Sequence, residues 1–581
     1  MQDVLVIGAG ISGSLTSLKS AKTYTVLNLE AGKKVLPEAS SSHNECYKLH
    51  TGAHFLGDLA TAKHCLQRSV AFAREFPEFL AKGDLSSPWR RGRHYIMSNS
   101  LVPVERAREV VLQLQADYAQ LVKEDERNKV FGEPAQFIQF LSKQDYAYLA
   151  ETLPFYDSNH IKTDVHVVLG IETAESQIDI DQLQANVQQQ IEENSNITFK
   201  PSQKVINIAH DPTALGYLVT TKNDQGQEQT FKARTIVNCA WQNIEMLNKT
   251  LGLSMPDDNR IVRIKISVLV ELPESLRKMN TCIFSSGPYA SMTVLPNGTA
   301  VLTSERWTNA GSFKAGHAIP EPINELLANM TLQTATGREL AKHILDDCAS
   351  YLSEEFQAEF QTLPIKELRV GFVKITGPYT QQSIYQANSC IHSRLEDGIE
   401  ELETGFIVNA AMKMTYAASN AMIVNDLLTK HLVTLDKMDH LITHTKHRLY
   451  LNYPYLNKLN DTVDYFLYIS CRSFIEDKVN SSAYDQDPEQ CINMLIEKIL
   501  QKTNSFVLQE SRRLFDNLYS LLHELVEAKS QKTRELSMHS PQQSNSAPPY
   551  ASPRRCRFFS ENLILRSISD NTEESPITSP I

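Results

Sequence analysis

The chain has 581 residues, 42% hydrophobic and 22% charged, with a formal net charge of −11. That length exceeds one ordinary core, so two or more domains are expected, and the acidic balance excludes generic nucleic-acid binding. Nine scattered cysteines with no CxxC pair suit reduced thiols in a cytosol-like compartment, not a disulfide framework. Met1-Gln2-Asp3 lacks the basic start of a signal peptide, so a cytoplasmic location is expected. No stretch is apolar for long enough to span a bilayer, since the best candidate, Ile261 to Val270, is broken by Arg263 and Lys265.

Val4-Leu5-Val6-Ile7 reads as a buried strand, and Gly8-Ala9-Gly10-Ile11-Ser12-Gly13 follows at once. Ser14 to Ala21 continues without Pro or Gly, as a helix does, and Tyr24 to Leu29 is a second strand ending on Glu30. This strand, glycine turn, helix, strand and acid is the context that a GxGxxG motif requires. Gly8 permits the turn, Gly10 admits a pyrophosphate to the backbone, and Gly13 lets the helix pack on the sheet. The helix N-terminus faces the phosphates, and Glu30 can accept hydrogen bonds from an adenosine ribose.

The serine-rich loop Ser40 to Gly52 comes next, either against a bound cofactor or simply on the surface. Helix is expected from about Leu59 to Phe79 and from Ala107 to Val122, with a basic turn, Trp89 to Arg93, entering a strand between them. A strand at Val165 to Gly170 leads through an acidic link to a helix from Asp181 to about Glu193. Lys204 to Ile208 and Tyr217 to Thr220 pair around Asp211-Pro212, and Ala233 to Trp241 is a buried strand. Ile261 to Glu271, Tyr289 to Leu295 and Ala300 to Ser304 form a second β group, with Pro296-Asn297-Gly298 as a hairpin turn. Pro322 to Phe360 is mostly helix, Leu368 to Ile375 and Gly405 to Ala411 are strands, and a helix runs from about Ala417 to Lys430.

Three pieces in this order, Val6 to Gly13 with Glu30, Ser41-Ser42-His43-Asn44 to His50 and Gly52, and Gly405 to Ala421, resemble the D-amino-acid-oxidase-like superfamily of FAD-dependent oxidoreductases. The resemblance covers roughly the first 430 residues. It implies a mixed α/β fold in which a Rossmann-like FAD-binding domain (about 1–88, 166–255 and 366–430) is interleaved with an antiparallel-sheet substrate domain (about 89–165 and 256–365). It also implies FAD as cofactor. Gly8, Gly10, Ile11, Ser12 and Gly13 would contact the pyrophosphate, and Glu30 with Ala31 the adenosine ribose. Ser41, Ser42 and Asn44 would lie near the flavin, Val205 at the adenine, and Met412, Lys413, Met414 and Thr415 around the pyrimidine end of the isoalloxazine. The sequence departs from the family at Trp241-Gln242-Asn243, where a Gly-rich turn is usual, and at Cys46-Tyr47 in the serine loop. His43 is a candidate covalent anchor, with a plain hydrogen-bonding role as the alternative.

The superfamily's chemistry implies a hydride taken from a small amine or hydroxy acid onto flavin. Arg91 and Arg93 are candidates for a carboxylate clamp, or else form a solvated basic turn. His50 and His54 are candidates for a base or donor, or else are structural. Tyr289, Tyr416 and Lys413 are candidates to line the pocket, with Lys413 favouring anionic reduced flavin. His440, His444 and His447 share a helix stripe but lack a second ligand cluster, so no metal is expected. A helical domain is expected at 431–530, with a capping box at Asp487-Pro488-Glu489-Gln490 and stripes at Ile492, Leu495, Ile496 and Ile499 and at Leu514 to Leu525. The Ser/Pro/Gln-rich tail, 531–581, is expected to be disordered, and Arg554 to Phe559 within it is a candidate docking patch. The alternative function is a flavin-binding scaffold with little turnover, whose helical extension and tail recruit a protein partner.

Overall fold

The glycine turn begins where expected. In a computed structural model, β1 (Gln2–Ile7) leads through Gly8 to α1 (Ile11–Ser20) and then to β2 (Val26–Leu29). The structure describes residues 1–502 except 39, 45–47, 80–90, 256–259, 278, 387, 388, 390 and 392, together with Ser520. The expected tail, its basic patch, the Leu514 to Leu525 stripe, Cys46-Tyr47 and Trp89 therefore lie outside the described residues. Residues Met1–Asn504 form one compact unit.

Val4, Leu5, Val6 and Ile7 are all buried because both faces of their sheet are covered, which is why they read as a continuous apolar run. The strand order is Ile197–Lys200, β2, β1, Glu228–Asn238 and Phe406–Asn409, every neighbouring pair parallel. Glu228–Asn238 is long enough to do two jobs. Its first half pairs antiparallel with Tyr217–Lys222, which pairs in turn with Lys204–His210. Its second half carries the parallel sheet.

A second sheet of nine strands is built on Arg260–Glu271. That strand pairs along its length with Ile365–Thr376, and with Thr299–Ser304 and Asn309–Lys314 on its other edge. The sheet continues through Ala290–Val294, Thr281–Ser285, Gly92–Met97, Val167–Thr173 and Ile138–Leu141. It is not wholly antiparallel as expected, because Thr281–Ser285 runs parallel to Gly92–Met97. Those two strands are remote in sequence and joined by no hairpin, so nothing local sets their direction. The chain alternates between the sheets, from 2–29 to 92–173, back at 197–238, out at 260–376 and back at 399–409.

The helix expected to stop near Lys430 does not. Ala417–Asn452 is continuous over 36 residues. No Gly or Pro interrupts it before Pro454, and its buried stripe simply continues. Ala417, Ala421, Val424 and Leu428 belong to the core around α1, whereas Leu432, Leu435, Met438, Leu441 and Ile442 belong to a separate C-terminal core. In that second core the helix at 488–502 is capped by Asp487, whose Oδ1 accepts from Gln490 N–H at 2.9 Å. Ile492, Leu495, Ile496 and Ile499 are all buried there, so core packing accounts for their stripe. His440 bonds the Tyr484 hydroxyl and its ring lies 4.2 Å from that of His444.

Candidate functional site

The turn after β1 is shaped by what has no side chain. Gly8 has φ +93°, a left-handed conformation that favours glycine. A Cβ on Gly13 would lie 1.9 Å from the Gly8 carbonyl oxygen, so α1 can start this close to the turn only with glycine there. A Cβ on Gly10 would meet nothing nearer than Ser42 Oγ at 3.6 Å, so the main chain at this point faces open space. The Ile11 N–H donates to Ser42 Oγ at 3.1 Å, which ties the serine loop to the helix start. At the end of β2, Glu30 accepts from Ala9 N–H and Gly32 N–H, both at 2.6 Å. Burial raises its carboxyl above the usual range against the pull of those bonds.

These groups line a cavity of about 370 Å³. Gly8, Gly10, Ile11, Ser12, Glu30, Ala31, Ser41, Ser42, Val205, Met412, Lys413 and Met414 all face it, whereas Gly13 is packed behind the turn. Trp241 lines it too, where the resemblance implies a glycine-rich turn. It takes the left-handed φ of +48° that a glycine would take, and its Nε1–H donates to Phe372 O in the second sheet at 2.8 Å. Lys374 lies 5.5 Å from the Trp241 ring and is held by both oxygens of Glu245 at 2.7 and 2.8 Å. Burial pulls the Lys374 ammonium down to about 8 against the attraction of Glu245.

A second cavity of about 270 Å³ shares the Met412-Lys413-Met414 wall with the first. Asn44, His50, His54, Tyr289 and Thr415 line it. Burial, and then Lys413 and Lys48, lower His50 well below the usual histidine range. Burial and His50, with the same two lysines, do so for His54, which keeps open surface inside the cavity. Both imidazoles are therefore neutral near pH 7 and can accept a proton. Lys413 Nζ sits 4.7 Å from the Phe55 ring. Tyr289 donates to Asn99 Oδ1 at 2.6 Å, and burial pushes its hydroxyl up.

Four candidates for chemistry, Arg91, Arg93, Tyr416 and His43, are not brought to either cavity. Arg91 Nε pairs with Glu172 at 2.5 Å and its Nη2 donates to Gln136 O. Arg93 Nε pairs with the other oxygen of Glu172 at 2.8 Å. Side chains alternate along Gly92–Met97, so Arg93 and Tyr95 take one face and His94 the other. Tyr416 is fully buried, donating to Arg394 O at 2.8 Å beside Cys65 Sγ at 3.3 Å. His43 lines neither cavity.

The cations that do line the second cavity are Lys48, Arg263, Lys265, Arg394 and Lys413. Arg263 and Lys265 are two apart on Arg260–Glu271 and so share a face. Between them lies Glu305, 2.6 Å from Lys265 Nζ and 3.5 Å from Arg263 Nη2. Burial would raise the Glu305 carboxyl, but the two cations outweigh it and hold it well below the usual range. The signal in the sequence was the very break in Ile261 to Val270 that excluded a membrane span. Two charges at strand spacing in an apolar run mark a polar spot on one face of a buried strand. Glu305 and Arg394 had no such signal.

No protein-family model matches the chain, and neither does any curated protein. Among solved structures it is similar to glycine oxidase from Geobacillus kaustophilus, at 15% identity over 74% of this chain and 95% of that one, with a TM-score of 0.46. It is similar to L-α-glycerophosphate oxidase from Mycoplasma pneumoniae with FAD bound, at 15% identity over 74% and 94%, with a TM-score of 0.42. It is also similar to fructosamine oxidase from Aspergillus fumigatus, at 12% identity over 74% and 87%, with a TM-score of 0.44.

Proposed function

We propose that the chain is an FAD-dependent oxidoreductase that takes a hydride from a small amine or hydroxy acid. One observation carries it: a cavity rimmed by bare glycine main chain and one buried carboxylate adjoins a cavity of histidines and cations, across a shared wall at Met412-Lys413-Met414.

The first cavity fits an adenine dinucleotide. Gly10 leaves the backbone open to a pyrophosphate, and the start of α1 supplies N–H groups with no partner inside the helix. Glu30 oxygens that already take main-chain N–H bonds keep lone pairs for ribose hydroxyls. Bound there, FAD would supply the hydride acceptor.

The second cavity suits the substrate. Arg263, Lys265 and Arg394 offer charge to an acidic group. Neutral His50 or His54 takes the proton from the amine or hydroxyl as the adjacent C–H bond breaks. Lys413, on the wall common to both cavities, offers positive charge where negative charge develops.

Purified full-length protein is expected to be yellow and to bleach anaerobically with an amine or hydroxy acid from a substrate panel. Colourless protein that takes up no added FAD would overturn this function. Bound flavin that no member of the panel reduces would favour a scaffold instead.

A further inference from the structure

Beside the second cavity, Glu175 is fully buried just after Val167–Thr173. Among the described residues its ion-pair partners are two histidines and no lysine or arginine. Its Oε2 lies 3.6 Å from His50 Nδ1 and 3.9 Å from His94 Nε2, and accepts from Thr51 N–H at 3.3 Å. Glu175 Oε1, His50 Nδ1 and His94 Nε2 are all buried without a hydrogen-bond partner in the structure. A buried carboxylate with no lysine or arginine beside it is best answered by a hydrogen-bond donor on a neighbour, and the two histidines are the groups placed to supply one.

The surroundings hold this group in place. A Cβ on Gly92 would lie 3.2 Å from Glu175 Cβ and 3.3 Å from its Oε1, so glycine makes the room that Glu175 fills. The Ser69 hydroxyl donates to the His50 carbonyl, which anchors His50 from behind. His94, also fully buried, is joined through Nδ1 to Ser285 Oγ at 3.2 Å, and Ser285 lines the cavity. The other charged or titratable groups facing His50 are Lys48, Lys413 and His54.

We propose that Glu175 is a positioning residue for His50, and that His50, Glu175 and His94 together hold the proton that the substrate gives up. This rests on the oxidoreductase function proposed above. Facing Nδ1, Glu175 favours the tautomer with a proton there, which leaves the Nε2 lone pair as the basic site. When the substrate N–H or O–H bond breaks, its proton forms the Nε2–H bond of an imidazolium paired with Glu175. The electron pair of that bond stays on the nitrogen or oxygen and forms the new double bond to carbon. FAD bound in the first cavity would supply the two-electron acceptor for the C–H pair, so the oxidation of the substrate balances. His94 is the second place at which the carboxylate can share that proton.

Two arms test this on the full chain. In the first, diethyl pyrocarbonate modifies neutral histidines across a pH series, and peptide mass spectrometry reads the rate at His50, with exposed His160 as internal reference. E175Q is expected to lower the pH midpoint at His50 by about one unit while His160 stays unchanged, and E175D to restore most of it. G92A, which crowds Glu175 without changing its charge, is expected to fall between. An unchanged His50 midpoint in E175Q overturns the proposal. In the second arm, anaerobic stopped-flow follows flavin reduction by sarcosine, L-lactate and glycerol 3-phosphate. E175Q is expected to slow reduction about 100-fold with KM within about threefold, and to add nothing when His50→Gln is already present. An E175Q loss that multiplies with the H50Q loss overturns the proposal. Failure of all three substrates on the wild type would sink the oxidoreductase reading and the source of the proton, while the first arm still decides whether Glu175 governs His50.

Discussion

The two adjoining cavities are built by opposite means. One end of the first is made by omission, because there it is rimmed by main chain at Gly8 and Gly10, with Gly13 packed behind them, and by a single carboxylate, all within the first thirty residues. The second is made by accumulation, from side chains as far apart in the chain as Asn44, Val102, Arg263, Glu305, Arg394 and Lys413. A cavity lined by bare backbone suits a ligand common to many proteins. One lined by long side chains can be retuned without touching the first, so the two cavities can be specified separately.

That contrast can be broken most severely at Gly13. G13V drives a side chain into the Gly8 carbonyl and is expected to cost about 3 kcal/mol or more in chemical denaturation. G10V meets no such obstacle, so its stability should stay within about 1 kcal/mol of wild type while its retained flavin absorbance is lost. E30Q should come next, weakening FAD binding about 10- to 100-fold by calorimetry, since an amide replaces an acceptor that serves two main-chain donors. K413M, altering the shared wall, is expected to slow flavin reduction about 100-fold and to spare FAD content.

Acid should separate the cavities by sign. Burial depresses His94 to about 4. Its contribution is therefore complete above the ordinary histidine value and lost as pH falls through the folded one. Urea unfolding at pH 5 should show a deficit of about 2 kcal/mol against pH 7.5, which H94N removes. His50 and His54 act in the same direction. Glu30, with its carboxyl raised, acts in the other, being least costly at low pH. The smallest effect is expected at Arg93. R93K should leave kcat/KM within about threefold, because that side chain answers Glu172 on the far face of its strand.

The first cavity was legible in sequence because its parts are local and their order is itself the signal. Gly8 to Glu30 form one strand–helix–strand unit, and each glycine has a duty that no other residue performs. The second was half legible. His50, His54 and Lys413 flank motifs that had already been located. Arg91 and Arg93 looked like a clamp because a cation's face cannot be assigned until its strand's register is known, and the parallel pairing with Thr281–Ser285 was not foreseeable from any turn. Arg263 and Lys265 were visible but weighed against a membrane instead of toward a pocket. Glu175 sat in a stretch that read only as an acidic, polar link, and its burial depends on contacts with residues far away in the chain. The length of the helix from Ala417 was underestimated for a simpler reason, since nothing in the sequence ends it at Lys430.

That helix begins one residue after the Met414–Tyr416 turn, whose Met414 lines both cavities, and runs about 54 Å before Asn452 ends it inside a different core. A shortened gene product stopping at residue 430 would therefore carry a severed rod, its docking partners gone and the lip of both cavities hanging from the stump. The two-sheet body has no clean perforation on that side. The core that grips the far end of the rod holds a lever whose short arm is the wall between the two cavities.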